Sequence, residues 1–547
     1  MTPVRRILIL NLTRFGDLLQ TSPTVAVLRE RHPGARIVFL AERNFAEVCE
    51  GVPGIDEVRR IDLDRVGTLM LEGGDRLLEA YRYVETQIRE LREERFDLAF
   101  NFSSSRMSAV FMGLLRIPDV RGWSMTPDGF RVILNPWSRL FATMCLNRRF
   151  ACFNLVDYYR WIADGGPGPR RLVYDVTPAA EARVTALVES WGVRAGERLV
   201  AFQLGASRAI RRWPTESFAE VARSIAADGL RPVLIGGGGD AELAREVVRR
   251  VGPAAIDACG STDVPGLGAL LRRSSLLVTG DTGPMHMAAA VGTPIVALFF
   301  GPALPQDTGP YGEDHLVLHA PVPCAPCEHS VTCLDPFCRT EITPEQVASA
   351  ARARLAGDWD ALAEQARQSP LVRFHRTGFD RHGAFACEPL DGREDPDDRY
   401  RWAYRSVFQR ALAGVPLPEP RPLRGSLAPF AELAAMAREG EAIAERLAVA
   451  AAAPRPSIEE IGRLGREIET LDAAILTQGG RHPETAVLSQ MFRFGKENIE
   501  GDEVQGLAVA TRELYRELLF EAEGVRSLLS EPAPEGRGKA KDASLHQ

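Results

Sequence analysis

No run of apolar residues in this 547-residue chain is long enough to cross a bilayer, so nothing in it reads as a membrane span. The apolar stretch nearest the start, Ile7–Leu12, is too short for a secretory h-region, and no small-residue cleavage site follows it. It reads as the first strand of a cytoplasmic domain. An excess of basic charge is also missing: 66 Lys and Arg against 73 Asp and Glu leave a formal charge of −7, which gives no electrostatic footprint for nucleic acid. Nine cysteines, an odd number, fit no secreted disulfide framework. No repeat of fixed length is visible. What remains is a chain that is 45% hydrophobic, enough for large cores, and long enough for two to four domains of ordinary size.

Three parts follow from the pattern. Residues 1–172 alternate apolar runs (Ile7–Leu12, Ala35–Leu40, Asp97–Asn101) with helical stretches such as Val25–Arg31, the signature of a parallel sheet covered by helices. Residues 173–356 repeat the theme with strands at Leu199–Gln203, Pro232–Ile235, Leu276–Thr279 and Pro294–Phe299, and an amphipathic helix at Phe218–Ala227. Two such α/β layers place their ligand loops at the carboxyl ends of the strands, facing a cleft. After 357 the strand signals stop. Residues 357–425 read as a connecting segment and linker, 389–425 being rich in proline, arginine and acids. Residues 426–530 read as an all-helical extension. There Ser457–Glu460 has the capping-box pattern, and Ile458, Ile461, Leu464, Ile468, Leu471 and Ile475 form one apolar stripe. Residues 531–547 have the composition of a disordered tail.

The most informative segment is Val278–Ala290. An apolar strand breaks at Gly280, and a small-residue helix begins near Pro284, where proline suits the first turn. Such a corner aims free N–H groups and the positive end of the helix dipole at whatever lies in front, as an anion site requires. Thr282 adds a hydroxyl, Gly283 permits close approach, and Asp281 and His286 can orient a ligand. An ordinary capped helix has the same residues. Gly16-Asp17 ends the first strand at the mouth of the cleft, where Asp17 serves either as a helix N-cap or as a general base for an acceptor hydroxyl. Beyond Gln203-Leu204-Gly205, the arginines Arg208, Arg211 and Arg212 suit phosphate oxygens, or else form a solvated basic loop.

The run Gly236–Gly239 with Asp240 meets a loose dinucleotide pattern, with Asp257 about 20 residues on. It follows a mid-domain strand, which favours a turn lining a nucleotide, with Asp240 or Glu242 near a ribose. Cys324, Cys327, Cys333 and Cys338 fall within fifteen residues, a spacing that suits a structural zinc or an iron–sulfur cluster as well as four free thiols. Arginines interleaved with aromatics from Trp137 to Trp161 suit an anionic lipid surface, or else an ordinary helix with a basic face.

Leu12-Thr13-Arg14-Phe15-Gly16-Asp17, Arg211-Arg212-Trp213-Pro214, Gly280–Ala289 and Phe300-Gly301-Pro302 together resemble, in order and spacing, the heptosyltransferase family, glycosyltransferase family 9. The resemblance covers roughly residues 4–356. It implies the GT-B architecture, two Rossmann-like domains around a cleft, and inverting transfer of L-glycero-D-manno-heptose from its ADP donor to the lipopolysaccharide inner core at the inner membrane, with no metal or other cofactor in catalysis. By position it implies that Asp17 is the base and that Thr282, Gly283 and their backbone hold the donor phosphates, supported by Asp281 and His286. Arg211 stands where the family usually has a lysine. The resemblance supplies no role for the cysteines or the helical extension, which would bind a protein partner or self-associate. Three alternatives stay open: a GT-B transferase or epimerase using a UDP-sugar, a nicotinamide oxidoreductase resting on Gly236–Asp240, and an inactive glycan-binding scaffold.

Overall fold

The computed structural model describes residues 4–166, 168–328 and 331–531, and the chain divides into two compact units between Arg393 and Glu394. The tail expected at 531–547 lies, from 532 on, outside the described residues.

The first unit holds two sheets. In the first, β1 (Arg6–Asn11), β2 (Arg36–Glu42), β3 (Glu57–Ile61), β4 (Leu98–Asn101), β5 (Asp119–Met125) and β6 (Arg131–Leu134) are ordered β3-β2-β1-β4-β5-β6. All neighbours are parallel except the antiparallel pair β5–β6. Ile7, Leu8, Ile9 and Leu10 are fully buried, as a central strand with helices on both faces demands. In the second sheet, β7 (Leu199–Gln203), β8 (Arg231–Ile235), β9 (Ile256–Asp257), β10 (Leu276–Gly280), β11 (Ile295–Phe299), β12 (Leu316–His319), β13 (Arg373–Phe379) and β14 (Phe385–Pro389) are ordered β14-β13-β12-β11-β10-β7-β8-β9. Its core packs Phe202, Trp213, Phe218, Val278 and Leu298. The strand order reverses between β1 and β4 in one sheet and between β7 and β10 in the other. Crevices open at the carboxyl ends of strands at such reversals, and the residues singled out above lie beside them.

The strand signals do not in fact stop at 357. A helix (Trp359–Gln368) is followed by β13 and β14, an antiparallel hairpin added to the second sheet through β12. Its apolar content is thin: Val372, Phe374, Ala384 and Phe385 are buried among charged residues, too few to set a periodicity. Nor is 389–425 all linker, because Pro396–Ala413 is helical. Asp395 and Asp398 exchange backbone N–H bonds in a reciprocal capping box with Pro396 at the first turn, so the acidic run is a helix start.

The second unit is helical: Pro396–Ala413, Ala428–Ala452, Ile458–Arg481, Ala486–Glu497 and Val504–Leu529. Of the expected stripe, Leu464, Ile468, Leu471 and Ile475 are buried, whereas Ile458 is 87% exposed because the first turn overhangs the packing surface. Ser457 accepts the Glu460 N–H at 3.3 Å. Arg438–Glu523, Glu441–Arg516 and Glu445–Arg512 form rungs between the antiparallel helices Ala428–Ala452 and Val504–Leu529. Such exposed pairs add register more than stability.

Candidate active site

At the end of β1 the chain turns through Leu12–Arg14 into the short helix Phe15–Leu19. At the end of β10 it turns through Asp281 into the helix Gly283–Val291. These two corners meet. A Cβ on Gly16 would lie 2.7 Å from Cδ2 of His286, and one on Gly283 would lie 2.4 Å from the Phe15 ring. Glycine at both positions is therefore what lets the two halves of the first unit approach.

Asp17 occupies the third position of its helix, where its carboxylate accepts the Arg14 N–H at 3.3 Å. The capping role is thus compatible with a partly buried carboxylate facing the second half. Burial raises the Asp17 carboxyl above the usual aspartate range, and the negative charge of Asp281 adds to this. The Arg14 N–H, the Thr13 hydroxyl and Arg211 oppose it. His286 is buried, with no hydrogen-bond partner for Nδ1. Burial pushes it down to about 4, so the ring is neutral at neutral pH.

Arg211 donates to the Asp281 carbonyl at 2.6 Å and to its Oδ2 at 2.7 Å, which sets the guanidinium beside the N-terminus of the helix Gly283–Val291. Thr282 precedes that helix without capping it: its hydroxyl lies 2.9 Å from that of Thr279 and makes no capping bond. Asp17, Arg211, Asp281, Thr282, Gly283 and His286 are brought together.

Arg212 and Asp240 are not part of that group. Arg212 Nε donates to the Ala206 carbonyl at 3.0 Å, bracing the turn after β7. The Asp240 carboxylate accepts the Gly237 N–H at 3.1 Å and sits where a Cβ on Gly205 or Gly236 would fall, 2.0 and 2.6 Å away. These two glycine turns enclose Asp240, which knits the ends of β7 and β8. Glu242 is exposed and pairs with Arg245.

The four cysteines lie on the loop that follows the second sheet's β12. Among the described residues no group of three or more His, Cys, Asp or Glu is arranged to hold an ion, and Cys324 is exposed while Cys338 is buried. Burial, reinforced by the neighbouring thiols, pushes Cys327 and Cys338 upward. Their loop instead braces the basic turn. Arg339 donates to the Ala209 and Arg212 carbonyls, and Arg208 to that of Val331.

The aromatic stretch at 137–161 is largely an interior. Trp137, Phe150, Tyr158 and Tyr159 are buried, Trp137 stacks on Trp161 with centroids 4.3 Å apart, and Phe153 meets Trp161 edge-on. Its arginines reach the second half. Arg148 bonds Asp307 and the Pro302 carbonyl. Arg160, 1% exposed, donates to the Tyr311 hydroxyl at 2.6 Å, and Tyr311 donates to Asp157 Oδ1 at 3.0 Å. An aromatic and ionic bolt inside the unit replaces the expected lipid-facing surface. Among the described residues, no helix is long and apolar enough to cross a membrane.

Sequence reasoning missed Asn11 and Tyr159. Asn11 is fully buried at the end of β1, its Oδ1 accepting the Thr13 N–H at 3.2 Å, and Tyr159 is buried on the helix Leu155–Ile162. A polar residue closing an otherwise apolar strand was the available signal.

Residues 85–337 match the family model glycosyltransferase family 9 (heptosyltransferase). The chain is 25% identical over 316 residues to lipopolysaccharide heptosyltransferase 2 of Salmonella typhimurium, covering 56% of this chain and 85% of that protein. It is 24% identical over 373 residues to lipopolysaccharide heptosyltransferase 1 of Pseudomonas aeruginosa, covering 64% and 98%. The crystal structure of a glycosyl transferase family 9 protein from Veillonella parvula superposes with a TM-score of 0.52 at 23% identity, covering 65% of this chain and 99% of that one, which shows a shared fold. Two facing α/β layers, their corners joined at the strand-order reversals, and these matches agree: residues 85–337 carry a glycosyltransferase family 9 domain, and the chain is a glycosyltransferase.

Proposed function

We propose that the protein moves heptose from ADP-L-glycero-D-manno-heptose to a lipopolysaccharide core or related glycan, with inversion at the anomeric carbon. The supporting observation is the convergence of Asp17 with Arg211 and the uncapped N-terminus of the helix Gly283–Val291. Residues 1–172 then carry the acceptor side and 173–356 the donor side. The acceptor hydroxyl loses its proton to the Asp17 carboxylate as its oxygen bonds the anomeric carbon and the bond to the diphosphate oxygen breaks. The charge that develops on the departing ADP falls on Arg211 and the first-turn N–H groups, fixed donors that need no reorganisation. Neutral His286 packs the joint and leaves Arg211 as the nearby cation. The acceptor class follows the relatives' names, and a lipid-linked acceptor places the work at the inner face of a bacterial inner membrane.

Turnover of ADP-heptose, beside UDP-hexose controls, by wild type and Asp17→Asn with glycolipid acceptors tests this. Heptose transfer with ADP release by wild type and none by the variant is the expected result. Release of UDP alone would overturn the donor, and full activity in Asp17→Asn would overturn the base.

A further inference from the structure

The first unit holds a second group of arginines, on the edge away from the meeting corners. A pocket of about 610 Å³ is lined by Arg170, Arg171, Glu313, His315 and Arg354, and the last turn of the helix Gly283–Val291 forms one wall. His315 stands immediately before β12, and the lining residue Pro294 immediately before β11, so the pocket lies at the amino ends of these parallel strands. Asp281 instead follows the carboxyl end of β10. The helix Gly283–Val291 thus has the corner with Arg211 at its first turn and this pocket at its last, about 13 Å apart along its axis.

The charges of the pocket are not spent within the fold. Asp314 gives its carboxylate to Arg376 at 2.6 Å, which leaves Arg354 only the Asp314 carbonyl, bonded through Nε at 2.8 Å. The Arg354 guanidinium lies over the Trp359 ring, 5.3 Å from its centroid, and pairs with no carboxylate among the described residues. Arg352, two residues back on the helix Pro344–Ala356, is by contrast paired with Asp228. Arg170 lies over the Phe379 ring, and neither it nor Arg171 has a carboxylate partner among the described residues. Both stand between the helices Leu155–Ile162 and Pro178–Ser190, where one half of the unit gives way to the other. His315 is 6% exposed, and neither ring nitrogen makes a hydrogen bond among the described residues. Its Nδ1 is sealed from solvent, which leaves Nε2, beside Gly312, for the pocket. Burial keeps the ring neutral, so it adds a donor without adding charge.

Three guanidiniums against one carboxylate suit a phosphate group, whose oxygens match their forked geometry. The carbonyls of Ala290 and Val291, in the last helical turn, have no partner in their own helix; they repel an anion and accept from hydroxyls. We propose that this pocket binds a small phosphorylated, hydroxyl-bearing molecule, with its phosphate on Arg170, Arg171 and Arg354 and its hydroxyls on the helix carbonyls, at a site separate from that of the donor. The inference is independent of the roles given to Asp17 and to ADP-heptose.

Glucose 6-phosphate, inorganic phosphate and glucose are the probes, titrated by calorimetry into wild type, the double variant Arg170→Gln/Arg171→Gln, and Arg211→Ala. Both arginines of the double variant are exposed, and its thermal unfolding should follow wild type. Wild type is expected to bind glucose 6-phosphate, to bind inorganic phosphate more weakly, and to leave glucose unbound. Affinity for the ester should fall by about tenfold or more in the double variant and persist in Arg211→Ala. No binding by wild type, or binding that survives the double variant, would overturn the proposal. Binding lost in Arg211→Ala would also overturn it, by assigning the phosphate to the corner with Asp281. Inorganic phosphate held as tightly as the ester would overturn the hydroxyl contacts.

Discussion

In the helical unit the buried Gln478 amide is engaged at both ends, donating to the Pro429 carbonyl at 2.7 Å and accepting the Thr485 hydroxyl at 2.8 Å. Asp472 likewise takes the Tyr515 hydroxyl at 2.6 Å and the Lys496 ammonium at 3.2 Å. In the α/β unit the Gln20 amide, just beyond the helix that carries Asp17, is fully buried with no partner at either atom. Gln203 Oε1, Arg211 Nε and His286 Nδ1 are buried without partners as well. Among the described residues of the helical unit only Gln490 Nε2 is in that position. A buried polar group without a partner costs about 1–3 kcal/mol. In the α/β unit such atoms also occur away from the two corners, at Thr24, Ser138 and Gln306, whereas the helical unit spends its polar groups on holding itself together.

The largest break in that contrast should come at Asp17. Asp17→Ala is expected to lower kcat by about 10²–10⁴-fold while donor binding, followed by calorimetry, persists. Next is Arg211→Ala, with a loss of about 10²–10³-fold from charge left unopposed on the leaving diphosphate. Arg211→Lys should recover part of it, since it restores the charge without the two bonds to Asp281.

In the helical unit the matching experiment is Gly440→Ala. A Cβ there would lie 2.2 Å from the Tyr515 ring, so the helix Val504–Leu529 must shift, at about 1–3 kcal/mol. Denaturant unfolding should show the helical unit weakened with heptose transfer unchanged. Lost transfer would mean that the two units are not functionally separate.

The smallest effect is one of pH on stability. His286 is lowered from 6.5 to about 4, so between those values the unfolded chain binds a proton that the folded chain refuses. Stability therefore falls as pH drops through that window and is unaffected above it. His286→Gln should flatten the slope in part, because His315, lowered to about 3, acts over the same range. An unchanged slope would show that the ring is not buried in solution.

Much of this was legible beforehand where chemistry and local geometry coincide. Gly280–Ala289 names its corner because proline, glycine and small residues have meaning at a strand–helix junction whatever surrounds them. Gly16-Asp17 is readable for the same reason. Asp240 and Arg212 bond their own turns apart from the corner cluster, and that was not legible because a carboxylate or guanidinium in a loop reads the same whether it points to a ligand or to its own backbone. The segment from Trp137 to Trp161 misled in a related way, since arginine beside aromatics describes a lipid-facing surface and a buried bolt equally well.

The sequence by itself determined the alternation of strands and helices, the two corners, the family and the helical character of the C-terminal part, because each rests on periodicity or on residues with strong local preferences. Only the tertiary structure decided that Gly16 meets His286 and Gly283 meets Phe15, that Asn11 and Tyr159 stand behind Asp17, that β13 and β14 extend the second sheet, and that Arg339 of the cysteine loop braces the basic turn. These are contacts between residues far apart in the chain. Such contacts depend on where the strand order reverses and which side chains are desolvated together, and neither leaves a mark in local sequence.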